Sequence, residues 1–155
     1  MRYKLTIAYD GNNYAGFQSQ INALTIQDVL EKVLKQIFRV DIRVVLSSRP
    51  DAGVHAYGNV VHFDSDIIKD LGKLKYSINC LLPKDIHVTK VEKVSNKFHA
   101  RYSVKDKTYE YRINLGEYDV FLDGYAYQCK YKVDIDLMKQ AKDLFIGTHD
   151  FSTFN

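Results

Sequence analysis

Apolar and polar residues alternate along the first positions of the chain. Positions 3, 5, 7 and 9 are Tyr, Leu, Ile and Tyr, and the residues between them are mostly polar. This is the period of a strand with one buried face. The run Asp10-Gly11-Asn12-Asn13 then supplies residues typical of a turn. The pattern predicts a strand that leads into a loop.

A helical period replaces this alternation from Thr25 onward. Apolar residues stand at positions 26, 29, 30, 33, 34, 37 and 38, so they line one face of a helix. Thr25 and Asp28 have the spacing of a capping box at its start. We therefore predict an amphipathic helix whose apolar face covers a sheet.

The middle of the chain predicts two more strands, a second helix and a further strand. Residues 42–46 and 59–63 are short apolar runs, which predict strands. The second helix is predicted to begin at Asp66 as its N-cap and to end before Pro83, and residues 86–94 read as a strand. The resulting order is that of an α+β, ferredoxin-like (RRM-like) split βαβ fold, which many RNA-binding modules share. The same architecture hosts unrelated activities, so it does not settle function.

The segment beyond Asn96 is predicted to start a second α+β lobe. Residues 108–113 and 125–131 alternate like strands. The buried face of a following helix is predicted to hold Leu137, Met138, Ala141, Leu144 and Phe145, with Gly147 as its stop. We divide the chain into a ferredoxin-like lobe, residues 1–96, and the beginning of a second lobe, residues 97–155. Because that lobe is opened without being completed, we expect the chain to be truncated.

Composition and cysteine usage narrow the class of protein. Of 155 residues, 46% are hydrophobic and 26% charged, the balance of a folded domain. Cys80 and Cys129 stand far apart with no histidine at a zinc-ligand spacing, which indicates neither a disulfide framework nor a metal site. No apolar run reaches membrane-spanning length, and the start is not that of a signal peptide. We expect a cytoplasmic protein that does not contact a membrane.

Charge and aromatic content favour an RNA partner only modestly. The formal net charge is +3, and the chain has twelve Tyr and no Trp. A basic surface attracts polyanions, and tyrosine can stack on bases. Both features are also common in proteins that bind no nucleic acid.

Chemically active side chains concentrate in the segment RPDAGVHA, which lies between two predicted strands. It contains Arg49, Asp51 and His55. Pro50 restricts the backbone, and Gly53 can adopt φ values that other residues resist, so the loop is expected to be rigid. A rigid loop at strand ends suits a catalytic carboxylate. The same residues also suit a plain turn in which Asp51 caps the backbone and pairs with Arg49, and the residue types alone leave both interpretations open.

Two other catalytic arrangements fit the sequence poorly. A Ser-His-Asp triad built from Ser47, His55 and Asp51 has no nucleophile-elbow motif and crowds all its members into one loop. A zinc deaminase would need an HxE motif paired with PCxxC, and the sequence has no such pair.

Several linked motifs resemble those of the TruA-type tRNA pseudouridine synthases. The family's central motif reads close to GRTDAGVHA followed by a G-Q-V-x-H-F strand, and residues 48–63 here read SRPDAGVHAYGNVVHF. Further matches cover residues 9–11, 14–20, Asn79 with Leu82-Pro83, 98–103, 107–112 and 147–152. The resemblance extends in order over essentially the whole chain, which makes it far more specific than any single motif.

The resemblance implies an isomerase that converts uridine to pseudouridine in the anticodon stem-loop of tRNA, at positions 38–40. It implies the N-terminal lobe of the pseudouridine synthase fold, a homodimer, and no cofactor or metal. The family's nucleophilic aspartate falls on Asp51, its neighbouring arginine on Arg49 and its active-site tyrosine on Tyr109. We also expect Arg49, Tyr109, His55 and Arg101 to contact the RNA.

Two departures from the family pattern matter for the site. Pro50 stands where the family usually has threonine, and Ser48 where it usually has glycine; either change can alter the geometry of Asp51. Family members normally continue through a second lobe that supplies a further basic active-site residue, so we expect this piece alone to be weakly active or inactive. One alternative is a non-catalytic RNA-binding module of the same fold. Another, a glycosidic-bond hydrolase, ranks last because it would want a second positioned carboxylate.

Overall fold

Two compact units make up the part of the chain that the structure describes. A computed structural model describes residues 1–154, and the units comprise residues 1–108 and the residues from 109 onward. The first unit contains β1 (Arg2–Tyr9), α1 (Ile26–Phe38), β2 (Val45–Leu46), β3 (Ala56–Asp64), α2 (Leu71–Leu81) and β4 (Ile86–Val94). Its strands form one sheet in the order β2-β3-β1-β4, with every neighbouring pair antiparallel. The α+β class and the predicted order of elements in this unit are confirmed.

One face of this sheet forms the core with α1. Along β1, alternate residues are buried, as the sequence pattern predicts. Thr25 is the N-cap of α1, and its side chain accepts a hydrogen bond from the Asp28 amide at 3.3 Å. Arg39 is the C-cap, with φ 62°. The fully enclosed side chains include Tyr3, Leu5, Ile7, Leu30, Leu34, Phe38, Val61 and Phe63. Burying these apolar surfaces is the main driving force for the unit's folding.

The strand β2 is shorter than predicted because a helix side chain replaces part of the ladder. Residues 42–44 are not paired with β3, although Ile42 and Val44 are buried. The Glu31 carboxylate of α1 instead accepts hydrogen bonds from the Val44 amide at 3.0 Å and from the Arg43 guanidinium at 2.8 Å. Only Val45 and Leu46 pair with β3.

The helix α2 begins later than the sequence pattern predicts, so the assignment of Asp66 as its N-cap is wrong. Asp70 is the N-cap, and its carboxylate accepts from the Lys73 amide at 2.8 Å. The buried Tyr3 hydroxyl donates to the Ile67 carbonyl at 3.1 Å and accepts from the Lys69 amide at 2.9 Å. The Ile67 carbonyl and the Lys69 amide are therefore bonded to a side chain of β1, and an additional helical turn before Asp70 does not form.

The second unit contains short elements and no buried residue among residues 109–153. A parallel pair joins β5 (Ile113–Asn114) to β6 (Tyr127–Gln128), and α3 (Ile135–Asp143) and a 3-10 turn (Ser152–Phe154) follow. The predicted strands over 108–113 and 125–131 shrink to these two-residue pieces. The apolar side chains expected on the buried face of the third helix are all exposed. Two-residue strands offer too little surface to form an opposing layer.

No helix that the structure describes combines the length and the apolar character needed to cross a bilayer.

Candidate active site

The Asp51 loop, residues 47–55, connects β2 to β3 at one end of the sheet. The side chains of Arg49 and Asp51 are both exposed. Among the described residues, no ion pair involves either of them. The pairing expected of a plain turn is therefore not formed. A carboxylate and a guanidinium stand close in sequence with their hydrogen-bonding atoms open to a ligand.

Backbone hydrogen bonds hold the loop on both sides of Asp51. The Phe17 amide donates to the Pro50 carbonyl at 3.1 Å, and the Gly53 amide donates to the Tyr14 carbonyl at 3.3 Å. Within the loop, the Val54 amide donates to the Asp51 carbonyl at 3.2 Å. The segment that follows β1, residues 10–17, thus forms a backing for the Asp51 loop.

Two glycines of this backing segment permit its close approach to the loop. A Cβ on Gly11 would lie 2.1 Å from the Val54 carbonyl oxygen, and one on Gly16 would lie 2.8 Å from the Pro50 carbonyl oxygen. Gly16 also has φ +96°, which side-chain-bearing residues rarely adopt. Sequence reasoning included both glycines in the family resemblance without assigning them a role. Their place in a turn between a strand and a helix was the available signal.

Buried aromatic rings anchor the backing segment to the core. Phe17 is fully enclosed and packs edge-on against Tyr9, with ring centroids 5.6 Å apart. The Tyr14 hydroxyl donates to Asp85 Oδ1 at 2.7 Å. Burial, together with this hydrogen bond, raises the pKa of Tyr14, so it remains a donor at neutral pH. The core therefore sets the position of the backing segment and, through it, that of the Asp51 loop.

His55 closes the far end of the loop. Its Nδ1 lies 3.1 Å from the Gly11 amide, which donates to it, and 3.1 Å from Asp10 Oδ1. Both partners follow directly after β1. The structure thus gives His55 a local role in joining the loop to the backing segment, and its predicted contact with RNA stays a prediction.

Arg101 lies in the first unit, on a segment held by side chains of the two central strands, β1 and β3. Its guanidinium is 6.0 Å from the ring centroid of Tyr102, which stacks on His99 at 4.3 Å. The Arg2 guanidinium holds this segment by donating to the carbonyls of Asn96 and Phe98 at 2.8 and 2.6 Å. Arg101 itself is exposed, and the cation beside a stacked aromatic pair can contact phosphate or a base.

Tyr109 belongs to the second unit and is 78% exposed. It therefore does not pack in a core. Its predicted role beside the nucleophile stays a prediction. Within residues 1–154 no cluster of His, Cys, Asp or Glu has an arrangement that could hold a metal ion.

Comparison with known proteins agrees with the motif resemblance. Residues 5–103 match the family model described as tRNA pseudouridine synthase. The chain is 46% identical to tRNA pseudouridine synthase A of Bacillus licheniformis, 46% to that of Anoxybacillus flavithermus and 45% to that of Oceanobacillus iheyensis. Each match covers 99% of this chain and 64%, 63% and 62% of the respective relative. The chain thus spans less than two thirds of the length of these relatives.

Proposed function

We propose that this chain, which belongs to the tRNA pseudouridine synthase family, isomerises uridine to pseudouridine in tRNA. In this proposal Asp51 is the nucleophile. The observation that supports this most is the Asp51 loop, which presents an exposed carboxylate on a backbone locked against residues 10–17. We further propose that the target uridines lie in the anticodon stem-loop and that the complete protein acts as a homodimer. The sheet order β2-β3-β1-β4 supports a ferredoxin-like lobe.

The chemistry requires a carboxylate beside the ribose of the target. Isomerisation breaks the bond between N1 and C1′, turns the base and forms a bond between C5 and C1′. The hydrogen on C5 leaves as a proton and N1 gains one, so the atoms balance without oxidation or reduction. Asp51 attacks C1′ as a nucleophile or removes the proton from C2′ as a base.

The remaining predicted site residues would position the RNA. A uridine inside a stem is reachable only after it leaves its stack. We propose that Arg49 contacts phosphate and fills the space that the flipped base leaves, since a guanidinium forms paired hydrogen bonds with phosphate. Arg101 and His55 would contact the RNA around it. For Tyr109 we propose stacking on the uracil.

Release of tritium from tRNA labelled at uridine C5, measured with the complete protein, tests this proposal. We expect Asp51→Ala to slow release by roughly 10²- to 10⁴-fold or more, because it removes the group that reacts with the ribose. Asp66→Asn is the matched control, since Asp66 is an exposed carboxylate outside the loop, and its release rate should equal that of the unsubstituted protein. Equal release from the Asp51→Ala variant would rule out the nucleophile assignment.

The second candidate is an RNA-binding module without turnover. It is favoured by the second unit, which lacks buried residues among those described and contains Tyr109. Binding of tRNA by the unsubstituted complete protein without any release of tritium would support this module over the enzyme.

A further inference from the structure

A buried polar group lies where β2 passes into the Asp51 loop. Asn59, in β3, is only 6% exposed. Its Oδ1 accepts hydrogen bonds from the hydroxyls of Ser47 at 2.7 Å and Ser48 at 3.0 Å. The Ser47 hydroxyl also accepts from the Val60 amide at 3.2 Å. One carboxamide oxygen therefore fixes both residues through which the chain enters the loop.

Few backbone rotations separate these anchored hydroxyls from the carboxylate. Only Arg49 and Pro50 stand between Ser48 and Asp51, and the proline ring fixes one of the intervening torsions. The backing segment holds the loop from Pro50 onward, whereas nothing in that segment bonds to Ser47 or Ser48. On the entry side, the Ser47 amide donates to the Val60 carbonyl at 2.9 Å, and Asn59 adds the side-chain anchor that also includes Ser48.

We infer that Asn59 is a positioning residue that fixes the entry to the loop and thereby the place of the Asp51 carboxylate. The inference rests on the proposed function, because it assigns Asn59 a part in that reaction. Asn59 acts through Ser47 and Ser48 and does not touch the substrate. A displacement of about 1 Å at a reacting group can cost about 10²-fold in rate, so a small movement of the loop entry is sufficient to matter.

The oxygen of Asn59, and not its nitrogen, carries this role. Among the described residues neither Asn59 Nδ2 nor the Tyr9 hydroxyl, also buried, has a hydrogen-bond partner. Burial raises the pKa of Tyr9 to about 12, so Tyr9 stays a neutral hydroxyl. The Asn59→Asp substitution keeps an acceptor for both serines and adds one beside Tyr9. It should therefore preserve the loop, whereas Asn59→Ala should release it.

A matched pair of variants in the full chain tests the inference. Asn79→Ala is the control, because the Asn79 amide is half-buried in the same unit and makes two hydrogen bonds to the Val88 backbone, at 2.9 and 2.8 Å. Hydrogen exchange of the backbone amides of residues 48–54 is the first measurement. We expect Asn59→Ala to speed it about tenfold relative to Asn79→Ala, which is the effect of losing roughly one buried hydrogen-bond acceptor.

Kinetics of tritium release are the second measurement. We expect Asn59→Ala to lower kcat about ten- to hundredfold with KM changed less than about twofold, because the carboxylate is displaced while RNA contacts remain. Asn59→Asp should recover most of kcat, and Asn79→Ala should keep it. If Asn59→Ala does not fold, Ser48→Ala replaces it, since it removes one of the two serine hydroxyls.

The outcomes separate this inference from the proposed function. Equal exchange of residues 48–54 in Asn59→Ala and Asn79→Ala, or equal losses of kcat, would overturn the positioning role. A lack of tritium release from the unsubstituted complete protein would contradict the proposed function instead. In that case the exchange comparison still decides whether Asn59 orders the loop.

Discussion

The two units carry similar apolar patterns and bury them very differently. In residues 1–108, a continuous cluster of apolar side chains joins the sheet to α1 and α2. In residues 109–153 no side chain is buried, although α3 has an apolar face that includes Leu137 and Met138. The comparison shows that an amphipathic pattern defines a face, while burial needs a second layer large enough to cover it.

Truncating one leucine in each unit should give the largest contrast. Leu5 is fully enclosed and Leu144 is 76% exposed. We expect Leu5→Ala to lower the free energy of unfolding by about 2–5 kcal/mol, because it leaves a cavity in the core. Leu144→Ala should change it by less than about 0.5 kcal/mol. Urea denaturation measures both, and comparable losses would mean that α3 buries its apolar face in solution.

Adding a methyl group to one glycine in each unit should give a smaller contrast. Gly11→Ala places a Cβ 2.1 Å from the Val54 carbonyl oxygen, so the backing segment and the Asp51 loop must separate. We expect a loss of about 1–3 kcal/mol in unfolding free energy and faster exchange of the loop amides. Gly116→Ala is the control, since its Cβ would meet only the Asn114 side chain, at 3.4 Å. An unaffected Gly11→Ala variant would show that the close approach is absent in solution.

The smallest expected effect is a pH dependence confined to the first unit. His62 is buried, and its Nδ1 accepts from the Ala100 amide at 3.1 Å. Burial, with smaller contributions from Arg2 and His99, lowers the pKa of His62 below its ordinary value of about 6.5. On acidification the unfolded chain therefore takes up this proton before the folded chain does. The contribution of His62 to the unfolding free energy is fully present above a pH of about 6.5 and is lost as the pH falls towards the lower pKa of the folded state.

Comparison with His62→Gln isolates this contribution. The unfolding free energy of the unsubstituted protein, measured by denaturation between pH 5 and pH 8, should decrease on acidification by an amount that the variant lacks. Parallel pH profiles for the two proteins would contradict a role for His62.

The sequence predicted best the elements whose signals are local. The strand β1 and the helix α1 follow from periodicity and from the Thr25 cap, and all of these are confirmed. In the first unit, the errors arise where a distant side chain competes for the backbone. Glu31 takes the amide that would extend β2, and Tyr3 holds the residues where α2 was expected to begin. Such competition across the fold leaves no trace in the spacing of residues.

The same distinction applies to the candidate site. Arg49 and Asp51 could be identified by residue type. Gly11, Gly16 and Asn59, which contact their loop, lie in other segments, and their role was identified only from the structure. Ser48 and Pro50, the loop residues that depart from the family motif, also gain local partners. The Ser48 hydroxyl donates to Asn59 at 3.0 Å, and the Pro50 carbonyl accepts from the Phe17 amide at 3.1 Å. Neither partner could be paired with the loop from sequence alone.

The Asp51 loop is held largely through main-chain groups, which affects the substitutions that its sequence can tolerate. Pro50, Asp51 and Gly53 each use a backbone atom for the bonds that fix the loop, so substitutions of exposed neighbours such as Ala52 leave those bonds in place. Mutational tolerance should therefore be higher at the exposed positions of the loop than in the glycines that press against it. A library that varies those exposed positions would retain the loop's shape and explore new chemistry, whereas one that varies the backing segment would lose the scaffold.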